Sequence, residues 1–300
     1  MTNNDLISRI NQNYDSFSKG QRRLSLYIEK YYDKAVYLTA QKLGEEVGVS
    51  ESTVVRFAVS LGYKGYPEFQ KALEEMAMSK LNSIQRMEVT YGKGARSDAE
   101  VLESVLRSDS DKIKETLSEI NSDQFAKAVD MLLSARKIYI IGIRSCEPIA
   151  SFFSFYLNLI HDNVVLINTN NPSEIFEKMI RIKKGDVIFG ISFPRYSVRT
   201  LKALEFAKNR GADVITLTDS DNSPMTLYSS CNLLAKSDMA SFVDSLVAPL
   251  SVVNALIVAL SIRKDKEVKE TLSLLENIWD EYQVYENDEI DENDEMDVND

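Results

Sequence analysis

The sequence predicts a multidomain chain, an all-α domain followed by an α/β domain, on three observations. Residues 1–80 show helical apolar spacing throughout. From Lys137 onward short β-rich runs alternate with helical or capped stretches. Between them "TYGKGARS" (90–97) is the first glycine-dense break. Three hundred residues with 44% apolar content can bury two separate cores. The expected boundaries are 1–80, a linker at 81–97, 98–280, and an acidic tail at 281–300.

In the first part, helices are expected near 4–13, 19–32, 39–62 (two helices and a turn) and from Pro67 to about Met87. Within "GVSESTVVRFAVSLGYKGYPEF" (48–69), Val54, Phe57, Ala58 and Leu61 recur at i, i+3, i+4, i+7 and share an inward face. Ser50 is placed as N-cap and Gly62 closes the helix. Upstream, "LTAQKLGEEVGVS" reads as a helix capped by Thr39, with Ala40, Leu43 and Val47 inward and Gly44 at a close crossing. Gly48-Val49-Ser50 is then the turn of a helix-turn-helix, which presents its second helix to the major groove. The face expected outward is Ser52, Thr53, Arg56 and Ser60, with Gln41, Lys42, Ser50 and Lys64 around it. An arginine there suits guanine or phosphate. The competing account is an ordinary helical hairpin with a polar face.

Charge does not decide between them. Residues 1–80 hold 11 Lys+Arg against 10 Asp+Glu, so any basic patch must be assembled by folding, from Arg22, Arg23, Lys42, Lys64 and Lys71. The net charge of −11 comes from residues 281–300, which hold ten acids and no base; without them the chain is at −1. Such a segment is too polar to pack and is read as a disordered, solubilising end. Mimicry of nucleic-acid charge is the functional alternative.

After a capping box at Ser97 and Glu100 and a helix from about Asn121, the apolar runs are "KIYIIGI", "NVVLIN", "GDVIFGIS", "ADVITLT" and "CNLLAK". Their alternation with helices predicts a parallel sheet covered on both faces. "SFVDSLVAPLSVVNALIVALSIR" reads as a buried helix broken or offset at Pro249. Ligands of such sheets bind beyond the carboxyl ends of the strands. Three of those ends are rich in hydroxyls: Arg144-Ser145-Cys146; Ser192, Arg195, Ser197 and Thr200; and Thr218, Asp219, Ser220 and Ser223. Hydroxyls and arginine at helix N-termini make an anion pocket. Simple helix capping is the bland account.

"SESTVVRFAVSLGYKGYPEF" closely resembles the hallmark of the RpiR family of bacterial transcriptional regulators. "GIRSCEPIA", "GDVIFGISFPRYSVRT" and "GADVITLTDSDNSPM" are similar to the three ligand loops of its SIS (sugar isomerase) domain. The resemblance covers most of residues 1–280. It implies a five-stranded parallel sheet between helix layers, operator DNA bound by a dimer or higher oligomer, and a phosphosugar or related anionic effector. On it the hydroxyl positions fall on Cys146, with Ser145 adjacent, and on Ser192, Ser197 and Thr200; Arg144 and Arg195, which can supply charge beside them, complete the expected effector residues. Two departures stand out: Cys146 holds a hydroxyl position, and Pro194-Arg195-Tyr196 is inserted before Val198, where the pattern has glycine.

The alternative is an isomerase-like enzyme of the same fold. That chemistry needs an acid/base group, but the single histidine, His161, precedes a strand at its amino end and reads as structural. A redox sensor at Cys146 is a further alternative, against a merely buried cysteine. Two cysteines suggest neither disulfide framework nor metal site, and no cofactor is expected. No run reaches the length of a membrane span and no signal peptide is read, so a cytoplasmic homodimer or homotetramer is expected.

Overall fold

The computed structural model describes residues 6–36, 38–80, 97–237 and 243–285. In the first part the helices are α1 (Leu6–Asn13), α2 (Lys19–Lys30), α3 (Tyr32–Ala35), α4 (Ala40–Val47), α5 (Glu51–Ser60) and α6 (Tyr66–Lys80). They share one core, in which Phe57 stacks edge-on with Phe17 at 5.1 Å and with Phe69 at 5.8 Å between ring centroids. Burial of such rings is the main stabilising term for a small helical domain. The stretch expected as one helix over 19–32 divides at Tyr31, and the expected extension of α6 to Met87 lies outside the described residues beyond Lys80.

In the second part α7 (Asp98–Glu119) and α8 (Ser122–Ser134) precede β1 (Ile138–Gly142). Then follow α9 (Glu147–Leu157), β2 (Val164–Ile167), α10 (Pro172–Met179), β3 (Val187–Ile191), α11 (Val198–Asn209), β4 (Asp213–Thr218), β5 (Cys231–Leu234), α12 (Val247–Arg263) and α13 (Asp265–Tyr282). The strands form one parallel sheet in the order β2-β1-β3-β4-β5. Alternate residues feed two cores: Ile138, Ile140 and Phe189 pack with α8, α9 and α12, while Tyr139, Ile141 and Ile188 pack with α10 and α11. Strands apolar on both faces therefore read as continuous runs.

Several expectations need correction. Pro249 does not break a helix: it lies in the first turn of α12, where a missing N–H breaks no intrahelical bond. The capping box expected at Ser97 and Glu100 is present, with Ser97 the N-cap of α7 and its Oγ accepting from the Glu100 N–H, and residues 81–96 lie outside the described residues. Residues 281–285, placed in the acidic tail, end α13 and fold back on it: Trp279 and Tyr285 rings meet at 5.3 Å, and residues 286–300 lie outside the described residues. Among the described residues, no single helix is long and apolar enough to cross a membrane, and no group of His, Cys, Asp and Glu side chains could hold a metal ion.

Candidate functional site

The helix-turn-helix is built by α4, the left-handed Gly48 (φ 71°) and α5, and its close turn depends on Gly44, where a Cβ would stand 2.8 Å from the Val49 carbonyl oxygen. Ser50 caps α5, accepting from the Thr53 N–H at 3.3 Å. Arg9 donates to the Leu61 carbonyl at the end of α5 at 2.9 Å, and Arg23 donates to the Gly48 carbonyl. Arg22 donates to the Asp15 carbonyl at 3.2 Å and lies over the Tyr14 ring. Each of these arginines ties its helix to a backbone carbonyl of another segment, while Arg22 and Arg23 stay exposed at the surface.

Along α5 the outermost line is Ser52, Arg56 and Val59, all exposed, at i, i+4, i+7. Arg56 Nε donates to the Ser52 carbonyl at 3.1 Å, steadying the side chain along the helix surface. Thr53, expected outward, is half-buried: a Cβ on Gly20 would come 3.3 Å from its methyl, so it faces α2. Ser60 is exposed but turned toward α2, where Gln21 Nε2 reaches its Oγ at 3.4 Å. Val59 was not singled out by the sequence, because an apolar residue next to Ala58 reads as core; only its place on the helix wheel separates the two. Gln41 and Lys42 are exposed in the first turn of α4, Gln41 bonded to Glu45 at 3.0 Å, and Lys64 is exposed after α5.

The other site lies at the carboxyl ends of β1 and β3, where strand order reverses and ligands of open α/β sheets bind. A cavity of about 510 Å³ opens there, lined by the loop Ile143–Cys146, by residues 192–199 and by Asp244. Of the expected effector residues, Arg144, Ser145, Cys146, Ser192, Arg195 and Ser197 line it. Thr200 does not: it lies one turn into α11, fully buried, its Oγ1 without a hydrogen-bond partner. The structure adds Arg199 and Asp244. Asp244 comes from the segment before α12, 45 residues along the chain from Arg199, with no local signal to announce it.

The backbone is shaped to this cavity. Gly142 lets the chain fold back over its own strand, since a Cβ would stand 2.6 Å from the Cys146 carbonyl oxygen. Arg144 (φ 60°) and Arg195 (φ 66°) both take the left-handed conformation that residues with a Cβ avoid at roughly 1–2 kcal/mol. Such positions cluster where a ligand is clamped. Ser197 caps α11, accepting from the Thr200 N–H at 3.3 Å, and Ser192 Oγ accepts from the Ser197 N–H at 3.2 Å. The free N–H groups of the first turn of α11, at Val198 and Arg199, therefore open on the cavity wall.

Burial pushes the Cys146 thiol up to about 11, against a lowering hydrogen bond from the Phe193 backbone, so it carries no thiolate near neutrality. The third hydroxyl-rich loop does not line the cavity but braces the second. Tyr196 donates to Asp219 at 2.7 Å, and Thr218 donates to the same oxygen at 3.1 Å. Burial raises both the Tyr196 phenol and the Asp219 carboxyl. His161 sits at the far end of the strands, its Nε2 2.8 Å from the Ala135 carbonyl oxygen.

Residues 4–80 match the helix-turn-helix domain of the rpiR family, and residues 131–259 match the SIS domain. The chain belongs to the RpiR family. This RpiR-family regulator is 24% identical over 278 residues to an uncharacterised HTH-type transcriptional regulator of Caldanaerobacter subterraneus subsp. tengcongensis, covering 91% of this chain and 95% of that one. It is 24% identical over 284 residues to the HTH-type transcriptional regulator HexR of Escherichia coli, covering 89% and 92%. Its fold is that of Vibrio vulnificus NanR, solved in complex with ManNAc-6P (TM-score 0.58, 22% identity, 94% of this chain and 100% of that one). It is also that of the sugar isomerase domain of an RpiR transcription factor from Sphaerobacter thermophilus (TM-score 0.56, 23% identity, 58% and 97%). The α/β domain was thus correctly expected from alternating strands and helices, and the chain is a transcriptional regulator.

Proposed function

We propose that this regulator binds double-stranded operator DNA through α5 and that a phosphosugar or related anionic metabolite, bound between β1 and β3, sets its operator affinity. In this reading residues 1–80 are the DNA-binding domain, 81–97 the connection, and 98–280 the effector domain. The observation that carries it is a cavity lined by Arg144, Arg195, Arg199 and the N-terminus of α11, in a chain that also displays a helix-turn-helix. Guanidinium groups and free helix N–H groups together favour a phosphate. NanR, which shares the fold, was solved with a phosphorylated amino sugar, and that class heads the effectors to be tried.

The cavity favours sensing over turnover. Among the described residues lining it, Asp244 is the one carboxylate and there is no histidine, so an acid/base pair for sugar isomerisation is missing from this chain's wall. Residues on two half-sites require at least a dimer, acting in the cytoplasm where operators are found. The test pairs a mobility-shift assay on the chain's own upstream region with a thermal-shift panel of phosphosugars. A ligand at a hundredfold over its Kd stabilises by about 2.7 kcal/mol. Salt-dependent operator binding without phosphosugar turnover supports the proposal; turnover with no operator binding overturns it in favour of the enzyme.

A further inference from the structure

We propose that Val59 is a specificity-determining residue of the DNA interface and reads the C5-methyl of a thymine next to the base pair read by Arg56. The inference rests on the DNA-binding reading of α5 and names a contact within it.

Val59 is 53% exposed, in the third turn of α5, while its neighbours Phe57 and Ala58 are fully buried. It shares the outermost line of the helix with Ser52 and Arg56, whereas Thr53 and Ser60 lean toward α2. The polar groups near the helix start already have partners within the helix. Ser50 Oγ lies 2.9 Å from both Ser52 Oγ and Thr53 Oγ1, and Arg56 Nε is bonded to the Ser52 carbonyl. Val59 thus offers an exposed isopropyl group on the same line of the helix as Arg56, whose Nε is held at the Ser52 carbonyl one turn earlier.

In the major groove the thymine methyl is the apolar group a base pair presents, and a guanine presents two acceptors to an arginine. Three residues of helix advance about 4.5 Å. One base step is about 3.4 Å along a strand. An arginine and a valine so spaced therefore meet base pairs one or two steps apart. A half-site with guanine and thymine one or two positions apart is the expected recognition element.

The test selects operators from a random duplex library with the full-length protein and with Val59→Ala and Val59→Thr, whose melting temperatures are first shown to equal the wild type. Deoxyuridine then replaces each thymine of the selected half-site in turn. The wild-type protein should lose about three- to fivefold in affinity at one thymine, the size of one buried methyl group. Val59→Ala should bind the thymine and uracil duplexes equally at that position and relax the selected base there, with the position read by Arg56 unchanged. Val59→Thr, isosteric but hydroxylated, should keep part of the preference. Uniform tolerance of uracil by the wild type, or an unchanged uracil penalty in Val59→Ala, overturns the proposal. If no sequence is enriched by the wild type, it is the DNA-binding reading itself that fails, a result distinct from the first two.

Discussion

Arg56 combines two roles that a single substitution can separate. Its Nε bond to the Ser52 carbonyl fixes the side chain on α5, leaving the rest of the guanidinium for a base or a phosphate. Arg56→Ala should weaken operator binding by about 1–3 kcal/mol and relax one base position if it reads guanine. If it touches only phosphate, affinity falls for every sequence and the salt slope shrinks by about one unit. Binding unchanged in both respects would remove α5 from the interface. Asp219 makes a second residue-level case. Its pKa is raised in the folded protein, so the folded state holds the proton more tightly than the unfolded chain. Stability must therefore fall as pH rises from the ordinary carboxylate value through the raised one. Asp219→Asn keeps an acceptor for Tyr196 without the buried charge. Its melting temperature should equal the wild type at low pH and exceed it near neutrality; a variant less stable at neutral pH sinks the argument.

At the scale of elements, the geometry of the helix-turn-helix is set by what it cannot accommodate. A methyl group at Gly44 would gain up to about 1 kcal/mol of helix propensity. It would also stand 2.8 Å from a backbone oxygen of the turn, which cannot swing away as a side chain could. Overpacking of that kind costs roughly 1–3 kcal/mol, so the steric effect wins. Gly44→Ala should lower the melting temperature and weaken DNA binding together; a thermal scan with no change would show that the turn has room. The effector cavity follows the same rule on a larger scale. Gly142 and two left-handed arginines shape the ends of β1 and β3, and the Tyr196–Asp219 bond ties the inserted loop to the end of β4.

For the whole molecule, the proposal requires that the cavity and α5 influence one another. Helix α7, which follows the connection from the first domain, is bonded to the segment carrying Asp244: Ser245 Oγ donates to Asp109 at 2.5 Å, and the Lys236 N–H donates to Thr116 at 2.9 Å. Coupling requires an element whose arrangement both sites bias, and α7, bonded to the cavity side, is the described element that begins at the connection. Arg195→Ala, which removes a cavity-lining cation, should weaken effector binding and leave operator affinity without effector nearly unchanged. Linkage then demands that the mutant lose its response at fixed effector concentration and recover it at higher concentration. A mutant that binds effector normally yet fails to bind DNA would place the "FPRY" loop at an interface instead.

The sequence by itself determined the class and order of the parts. Helical spacing marked α4 and α5, caps at Thr39, Ser50 and Ser97 marked where helices begin, and continuous apolar runs marked the strands, because these signals are local. Six of the seven expected cavity residues line the cavity for the same reason: strand ends and helix starts can be read within a few residues. Tertiary structure alone decided the rest. Thr200 is buried because α11 turns it into the core, Thr53 is half-buried because Gly20 of α2 approaches it, and Arg22 and Arg23, though exposed, are each bonded to a backbone carbonyl of the helical domain. Asp244 reaches the cavity only through the return of the chain from β5 to α12. Which side of a helix meets a neighbour, and which distant loop closes a cavity, depend on contacts between segments far apart in the chain, and no window of sequence contains them.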